Sequence, residues 1–315
     1  MRLRQRLSYL FLLSISGLLA SPAQANLRLP ALFADGMVLQ RQASVPIWGW
    51  AEPGSKVTVK AHWPGAEEVA ATADQNGRWQ LRVETPGTPG PYSIDLANGT
   101  EKEQLKDVLI GEVWIASGQS NMSMPMEGWT NQPIEGALEA ILSSRDSHLR
   151  FFQVARATSG EPATDCEGQW QSSEPSTTSG FSAVAYFFAR TIREATDLPV
   201  GVITSEWGGT PVQPWQPPEL AAPESEWLEK TRVGEDQYKP AFLYNGMIHP
   251  LIPYRIRGAI WYQGESNWRS PESYADLFIN MVEGWRDAWG QGTFPFYFTQ
   301  IAPFDYKDDN YPGQQ

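Results

Sequence analysis

Residues 108–116 read Val-Leu-Ile-Gly-Glu-Val-Trp-Ile-Ala, an apolar run rich in β-branched side chains whose only charge is Glu112. A strand buried on both faces of a parallel sheet requires this pattern, so a central strand is predicted here. The small pair Ser117-Gly118 then lets the chain turn sharply just past the carboxyl end of that strand. Before this run the hydrophobic period is two. Short alternating stretches at 56–60, 78–83 and 92–96 are separated by Asp35-Gly36, Pro53-Gly54, Asn76-Gly77, Pro86-Gly87, Pro89-Gly90 and Asn98-Gly99. Alternation broken by turn dipeptides predicts a small all-β sandwich over residues 26–106.

At residue 107 the period changes and strand begins to alternate with helix. Residues 134–142 have helical spacing, and 149–155 read as a second strand. A polar loop is predicted over 158–180. Residues 183–196 fit an amphipathic helix capped by Ser182. Residues 200–204 read as another buried strand, and 206–240 as a long insertion rich in Pro and Trp, of the kind that walls a site or serves as a linker. A short strand at 257–262 precedes a helix that starts at Ser270-Pro271 and ends at Gly290. The last strand is predicted at 294–301. This alternation predicts an α/β fold over 107–315: a doubly wound, mainly parallel sheet with the smaller N-terminal all-β sandwich before it.

The first 25 residues change the picture of where the chain works. Arg2, Arg4 and Arg6 precede an apolar core from 7 to 20 and then Ala23-Gln24-Ala25, the pattern of a cleavable secretory signal. The apolar run is shorter than the ~20 residues of a membrane span. The protein is therefore expected to be exported, periplasmic or extracellular, with a mature chain starting near Asn26 and no membrane attachment after cleavage.

The net charge is −12, and loss of the leader removes three Arg and no acid, leaving 21 basic against 36 acidic residues, or −15. A nucleic-acid partner would be repelled. One cysteine, Cys166, cannot make an internal disulfide, and no His/Cys cluster signals a metal; no cofactor is expected. The 14 Trp suit either sugar stacking or core filling. The β region itself is open to two readings, a carbohydrate-binding module or a spacer.

In open α/β sheets, chemistry gathers beyond the carboxyl ends of the strands. Three predicted strands run into chemically distinctive clusters there. The central strand leads to Gly118-Gln119-Ser120-Asn121-Met122, the strand at 200 to Ser205-Glu206-Trp207-Gly208-Gly209-Thr210, and the strand at 257 to Gln263-Gly264-Glu265-Ser266-Asn267. Ser120 is the candidate nucleophile, its alternative role being a helix cap. An oxyanion formed by attack on an acyl group needs fixed donors in a site with room for substrate. Candidates are the N–H groups of Ser120 and Gly208 and the amides of Gln263 or Asn267. The alternatives are an ordinary turn at Gly208-Gly209 and a hydrogen-bonded pair of Gln263 and Glu265 closing a loop.

These clusters, with Tyr244-Asn245-Gly246-Met247-Ile248 and Trp261-Tyr262, resemble the sialate O-acetylesterase family within the SGNH-type hydrolases. Asp35-Gly36-Met37-Val38-Leu39-Gln40 and Val45-Pro46-Ile47-Trp48-Gly49-Trp50 are similar to that family's N-terminal region. The resemblance implies an SGNH-like fold and hydrolysis of acetyl esters on sugars, typically O-acetylated sialic acids. Ser120 would be the nucleophile, with Gly208 in the second block and Gln263 or a neighbour such as Glu265 or Asn267 in the third. Met122 stands where the Gly-x-Ser-x-Gly elbow of α/β-hydrolases would place its second glycine. An acetylxylan or other polysaccharide esterase shares this chemistry. A sugar-binding protein that keeps the fold without activity is the reading from another class.

The family carries its catalytic base in an Asp-x-x-His element near the carboxyl end. None of the three histidines here fits: His62 lies in the β region, His148 precedes a strand, and His249 has Gly246 rather than Asp three residues earlier. The expectation is a C-terminally incomplete esterase region. Loss of the base costs ~10⁴ to 10⁶ in rate, so residues 26–315 alone are expected to show almost no esterase activity. Arg156 and Arg269 are candidate partners for an anionic sugar. The oligomeric state is not predicted.

Overall fold

A computed structural model describes residues 27–221, 234–268 and 271–303. The predicted leader, Arg269, Ser270 and residues 222–233 of the predicted insertion lie outside them. In chain order the strands are β1 Val38–Gln40, β2 Ser44–Trp50, β3 Lys56–Ala61, β4 Val69–Thr72, β5 Arg78–Glu84, β6 Tyr92–Asn98 and β7 Glu101–Gly118. Then follow α1 Ser120–Ser123, α2 Ala137–Leu142, β8 Asp146–Gln153, β9 Trp170–Ser173, α3 Pro175–Thr178, α4 Ala183–Thr196 and β10 Val200–Glu206. The described chain finishes with β11 Gly258–Tyr262, α5 Pro271–Trp289 and β12 Phe296–Phe298.

The fold is mixed α/β and is built around β7. Its first half, polar and mostly exposed with Leu105 turned into the core, pairs antiparallel with β6, while its apolar second half lies parallel between β10 and β11. One 18-residue strand thus serves both regions of the chain and joins them in a ten-stranded sheet. The period does change at residue 107, as the pattern predicts, but the strand does not stop there. Asp107 takes a left-handed conformation, φ 55°, and is held by an ion pair of 2.8 Å to Arg150, a nearly buried side chain of β8. The described strands beyond β7 order as β12-β11-β7-β10-β8-β9, parallel except for the β8–β9 pair.

Alternate side chains of β7 feed two cores. Trp114 and Ala116 pack with Val202 and Ile260 against Ala185, Tyr186 and Ala189 of α4. Val113 and Ile115 turn to the other face, where Ile203, Trp261, Met281 and Trp285 continue into the β1–β6 region. Each Val, Ile and Met among them contributes about 1.5–3 kcal/mol by leaving water, and each Ala less. α4 follows its sequence signals closely: Ser182 accepts from the Ala185 N–H, and Asp197 ends the helix at φ 57°. The tryptophans mostly fill cores, since Trp63, Trp79, Trp170, Trp215, Trp261 and Trp285 are all buried.

Four expectations need correction. The helix expected from 134 starts at Ala137, because Gly136 adopts φ 72° and is not yet helical. The 158–180 stretch is not a plain loop: it carries β9 and α3, the latter closed by a Glu174–Thr177 capping box with Pro175 in its first turn. Elements of four residues are too short to show a period. The strand expected over 294–301 holds only three residues. The first part of the Pro- and Trp-rich insertion is core: Trp215 is fully buried, donates to Thr210 Oγ1 at 3.0 Å, and accepts from Trp285 Nε1 at 2.9 Å through its carbonyl.

Candidate active site

Three strand ends meet in register. Glu206 of β10 and Tyr262 of β11 flank Gly118 of β7, so the segments that follow leave one edge of the sheet together. Two backbone hydrogen bonds tie them there. The Trp207 N–H donates to Gly118 O at 3.1 Å, and the Gln119 N–H donates to Tyr262 O at 3.0 Å. Gly118 is the residue on which the approach depends. At φ 143°, a β-carbon there would lie 2.1 Å from Tyr262 O, far inside any tolerated contact.

That turn delivers Ser120 as the first residue of α1, half-buried and therefore reachable, with Met122 behind it in the core. Gln119, the residue before the helix, gives it no side-chain cap. Gly208 comes close from the neighbouring loop: a β-carbon added to it would stand 3.6 Å from both Cα and Cβ of Ser120. Among the described residues, neither the Ser120 N–H nor the Gly208 N–H donates to a protein acceptor. Two free amides beside one accessible hydroxyl are the elements of an oxyanion site.

The third loop is placed differently from expectation. The Gln263 amide is buried, and its two N–H groups are shared among Gln119 Oε1 at 3.1 Å, Thr210 O at 3.2 Å and Asn267 Oδ1 at 2.8 Å, while its Oε1 accepts from Tyr274 at 2.9 Å. Asn267 is equally occupied, accepting from the Val212 N–H at 3.0 Å and donating to Gln213 Oε1 at 3.1 Å. Both side chains make these hydrogen bonds to other parts of the protein and bind the three loops to one another, a role distinct from the expected one of oxyanion donor. Glu265 does the same nearer to Ser120, its Oε1 accepting from the Asn121 amide. Its Oε2 is buried without a hydrogen-bond partner among the described residues.

The histidines are elsewhere. His62 pairs with Asp95 at 2.7 Å on the β3–β6 sheet, and His249 Nδ1 lies 2.7 Å from Ala163 O. His148 sits near the start of β8, the end of the parallel sheet remote from Ser120. Cys166 is half-buried and beside Asp165; burial and that carboxylate push its thiol up to about 12.

Sequence reasoning missed two contributors. Gln119 is buried, and its Oε1 accepts from both Gln263 Nε2 and the Ser266 N–H, joining the first loop to the third. Glu206 is 3% exposed, and burial pushes its carboxyl up to about 7, against the opposing pull of Arg156. A charge as the last residue of an otherwise uncharged buried strand was the available signal.

Residues 110–313 match the family described as carbohydrate esterase, sialic acid-specific acetylesterase. The chain belongs to this family. The matched span contains Ser120, Gly208, Gln263, Glu265 and Asn267. Human sialate O-acetylesterase is 30% identical over 324 residues, covering 92% of this chain and 60% of the relative. The mouse sialate O-acetylesterase is 28% identical, with 91% and 62% covered. Among solved structures, a carbohydrate acetylesterase from Xanthomonas citri superposes with a TM-score of 0.77 at 33% identity, over 86% of this chain and 59% of that one. The chain thus spans about 60% of the length of the curated family members it matches.

Proposed function

We propose that the protein is an exported serine esterase that removes O-acetyl groups from carbohydrates, with O-acetylated sialic acids as its substrates. Ser120 Oγ attacks the acetyl carbonyl, and the N–H groups of Ser120 and Gly208 receive the developing oxyanion. The sugar oxygen leaves with a proton, and water then releases acetate from the acyl-serine. Gln119, Gln263, Glu265 and Asn267 hold the three loops so that these donors stay aligned. No described histidine reaches Ser120, and the proton acceptor is left unassigned. The observation that carries this reading is the close approach of Gly208 to an accessible Ser120, both with free amides.

Further parts of the same reading are an SGNH-like, doubly wound sheet over 107–315, a sandwich unit over 26–106, and export directed by residues 1–25. The family match supports sialic acid over xylan as the acetylated substrate.

The test is acetate release from 9-O-acetylated sialic acid and from acetylated xylan, by wild type and Ser120→Ala. A wild-type signal on the sialic acid, weak where no proton acceptor serves Ser120, that vanishes in Ser120→Ala is expected. Turnover that survives the substitution refutes the nucleophile. The second reading, a sugar-binding protein without turnover, is favoured by the histidines' partners: among the described residues, none is hydrogen-bonded to Ser120. Binding of sialic acid with no acetate release from either substrate would establish it.

A further inference from the structure

A polar cleft of about 470 Å³ opens at the carboxyl ends of β8 and β10, on the same edge of the sheet from which the Ser120 segment leaves β7. Its lining includes the side chains of Gln153, Gln169, Gln171, Arg156 and Glu206. Three primary amides, one guanidinium and one carboxyl are hydrogen-bonding groups of the kinds that read a sugar's hydroxyl, amide and carboxylate groups.

The cleft is joined to the catalytic loops at fixed points. Glu206 is paired across the sheet with Gly118, two residues before Ser120. Arg156 donates through Nη2 to Ser123 Oγ of α1 at 3.4 Å, and through Nε to the Glu206 carbonyl at 3.4 Å. Its guanidinium also stands 5.8 Å from the centre of the Trp207 ring, next to Gly208 in sequence.

Glu206 is the reason to choose the cleft. Its side chain is nearly buried, and Oε2 has no hydrogen-bond partner among the described residues. A buried oxygen left without a partner is costly, and such costs are found more often at functional sites than in a scaffold. Gln153, which lines the cleft with this carboxyl, is itself exposed and can yield to a ligand. Arg156 is exposed at the same opening; its hydrogen bonds go to neutral oxygens, and it also pulls on the Glu206 carboxyl, so one cation serves both that carboxyl and an incoming anion.

We propose that this cleft is the glycosyl subsite of the esterase, taking an acidic sugar whose hydroxyl or amide groups bind Glu206 and whose carboxylate pairs with Arg156. The assignment rests on the esterase reading for its purpose, but it is tested by binding alone. Full-length protein is titrated with sialic acid and with the neutral sugar N-acetylglucosamine, followed by ligand-observed NMR, for wild type, Arg156→Met, Glu206→Met and Glu206→Gln.

Wild type should favour the acidic sugar. Arg156→Met should weaken sialic acid roughly tenfold and leave the neutral sugar unchanged, as expected for loss of one charge-assisted pair. Glu206→Met should weaken both sugars, and Glu206→Gln, which keeps hydrogen-bonding atoms in place, should restore most of that loss. Wild type without saturable sialic acid binding overturns the subsite. So does unchanged affinity in both methionine variants, with unchanged melting temperatures showing them folded. Binding as expected without Ser120-dependent acetate release would instead sink the esterase reading and leave the subsite standing.

Discussion

Gly208 and Ser120 belong to loops that leave different strands, and yet a single carbon added to Gly208 would touch both Cα and Cβ of Ser120 at 3.6 Å. That spacing is ordinary van der Waals contact, so a methyl group fits without forcing the backbone. It would, however, occupy the space beside the hydroxyl. Gly208→Ala is therefore expected to fold with a melting temperature close to wild type and to lose about 10²-fold in acetate release, the usual cost of disturbing an oxyanion donor. Thermal melts paired with turnover on 9-O-acetylated sialic acid decide it.

Gly118→Ala should behave in the opposite way. The backbone there combines φ 143° with a β-carbon position 2.1 Å from Tyr262 O, so the strand ends must part. A loss of about 3 kcal/mol or more is expected from strain and broken pairing together. Urea unfolding measures this; a wild-type midpoint would show that the turn can relax.

Gln263→Ala separates two roles for that amide. As the hub of a buried network, its loss strands Gln119, Asn267 and Tyr274 and should cost about 2–4 kcal/mol. As a free oxyanion donor, its loss would lower turnover with no change in stability. Denaturant midpoints that fall with the substitution are the expected result.

Glu206 gives stability a pH dependence of known sign. Its native pKa of about 7 lies above the 4.5 of the free side chain, so the folded state holds the proton more tightly. The group's contribution is complete below about pH 4.5 and is lost as the pH rises through 7, a change of about 3 kcal/mol. Arg156 faces the carboxyl and already opposes this shift. In urea denaturation at pH 5 and pH 8, Glu206→Gln should gain on wild type by roughly that amount at the higher pH. Parallel behaviour of the two proteins would show that Glu206 does not titrate in this range.

How much of this was legible in the sequence follows from the physics of each element. β10 and α4 declared themselves, because a run buried on both faces and a capped 14-residue amphipathic helix each leave a pattern long enough to read. The chemistry of the loops was legible as position only. Gly118-Gln119-Ser120 and Gly208 could be placed at one sheet edge, and the register of β7, β10 and β11 brings them together. Whether an amide there faces substrate or a neighbour is a matter of partners distant in sequence, 144 residues apart for Gln119 and Gln263, and no local pattern encodes that. β9 and α3 were hidden for the same reason, being set by contacts such as Trp170 Nε1 to Leu32 O rather than by their own short sequences.

The shared strand β7 also limits how this molecule can be taken apart. Excising the N-terminal region at residue 106 would remove from the remainder the antiparallel half of β7 that is hydrogen-bonded to β6, and would bare the apolar surface that β1 and its neighbours cover. A protease nick within 101–118 would disconnect both pieces at once. An engineer wishing to graft the candidate loops onto another scaffold must therefore carry the whole of β7 across, since the strand that ends just before Ser120 begins in the other region's sheet.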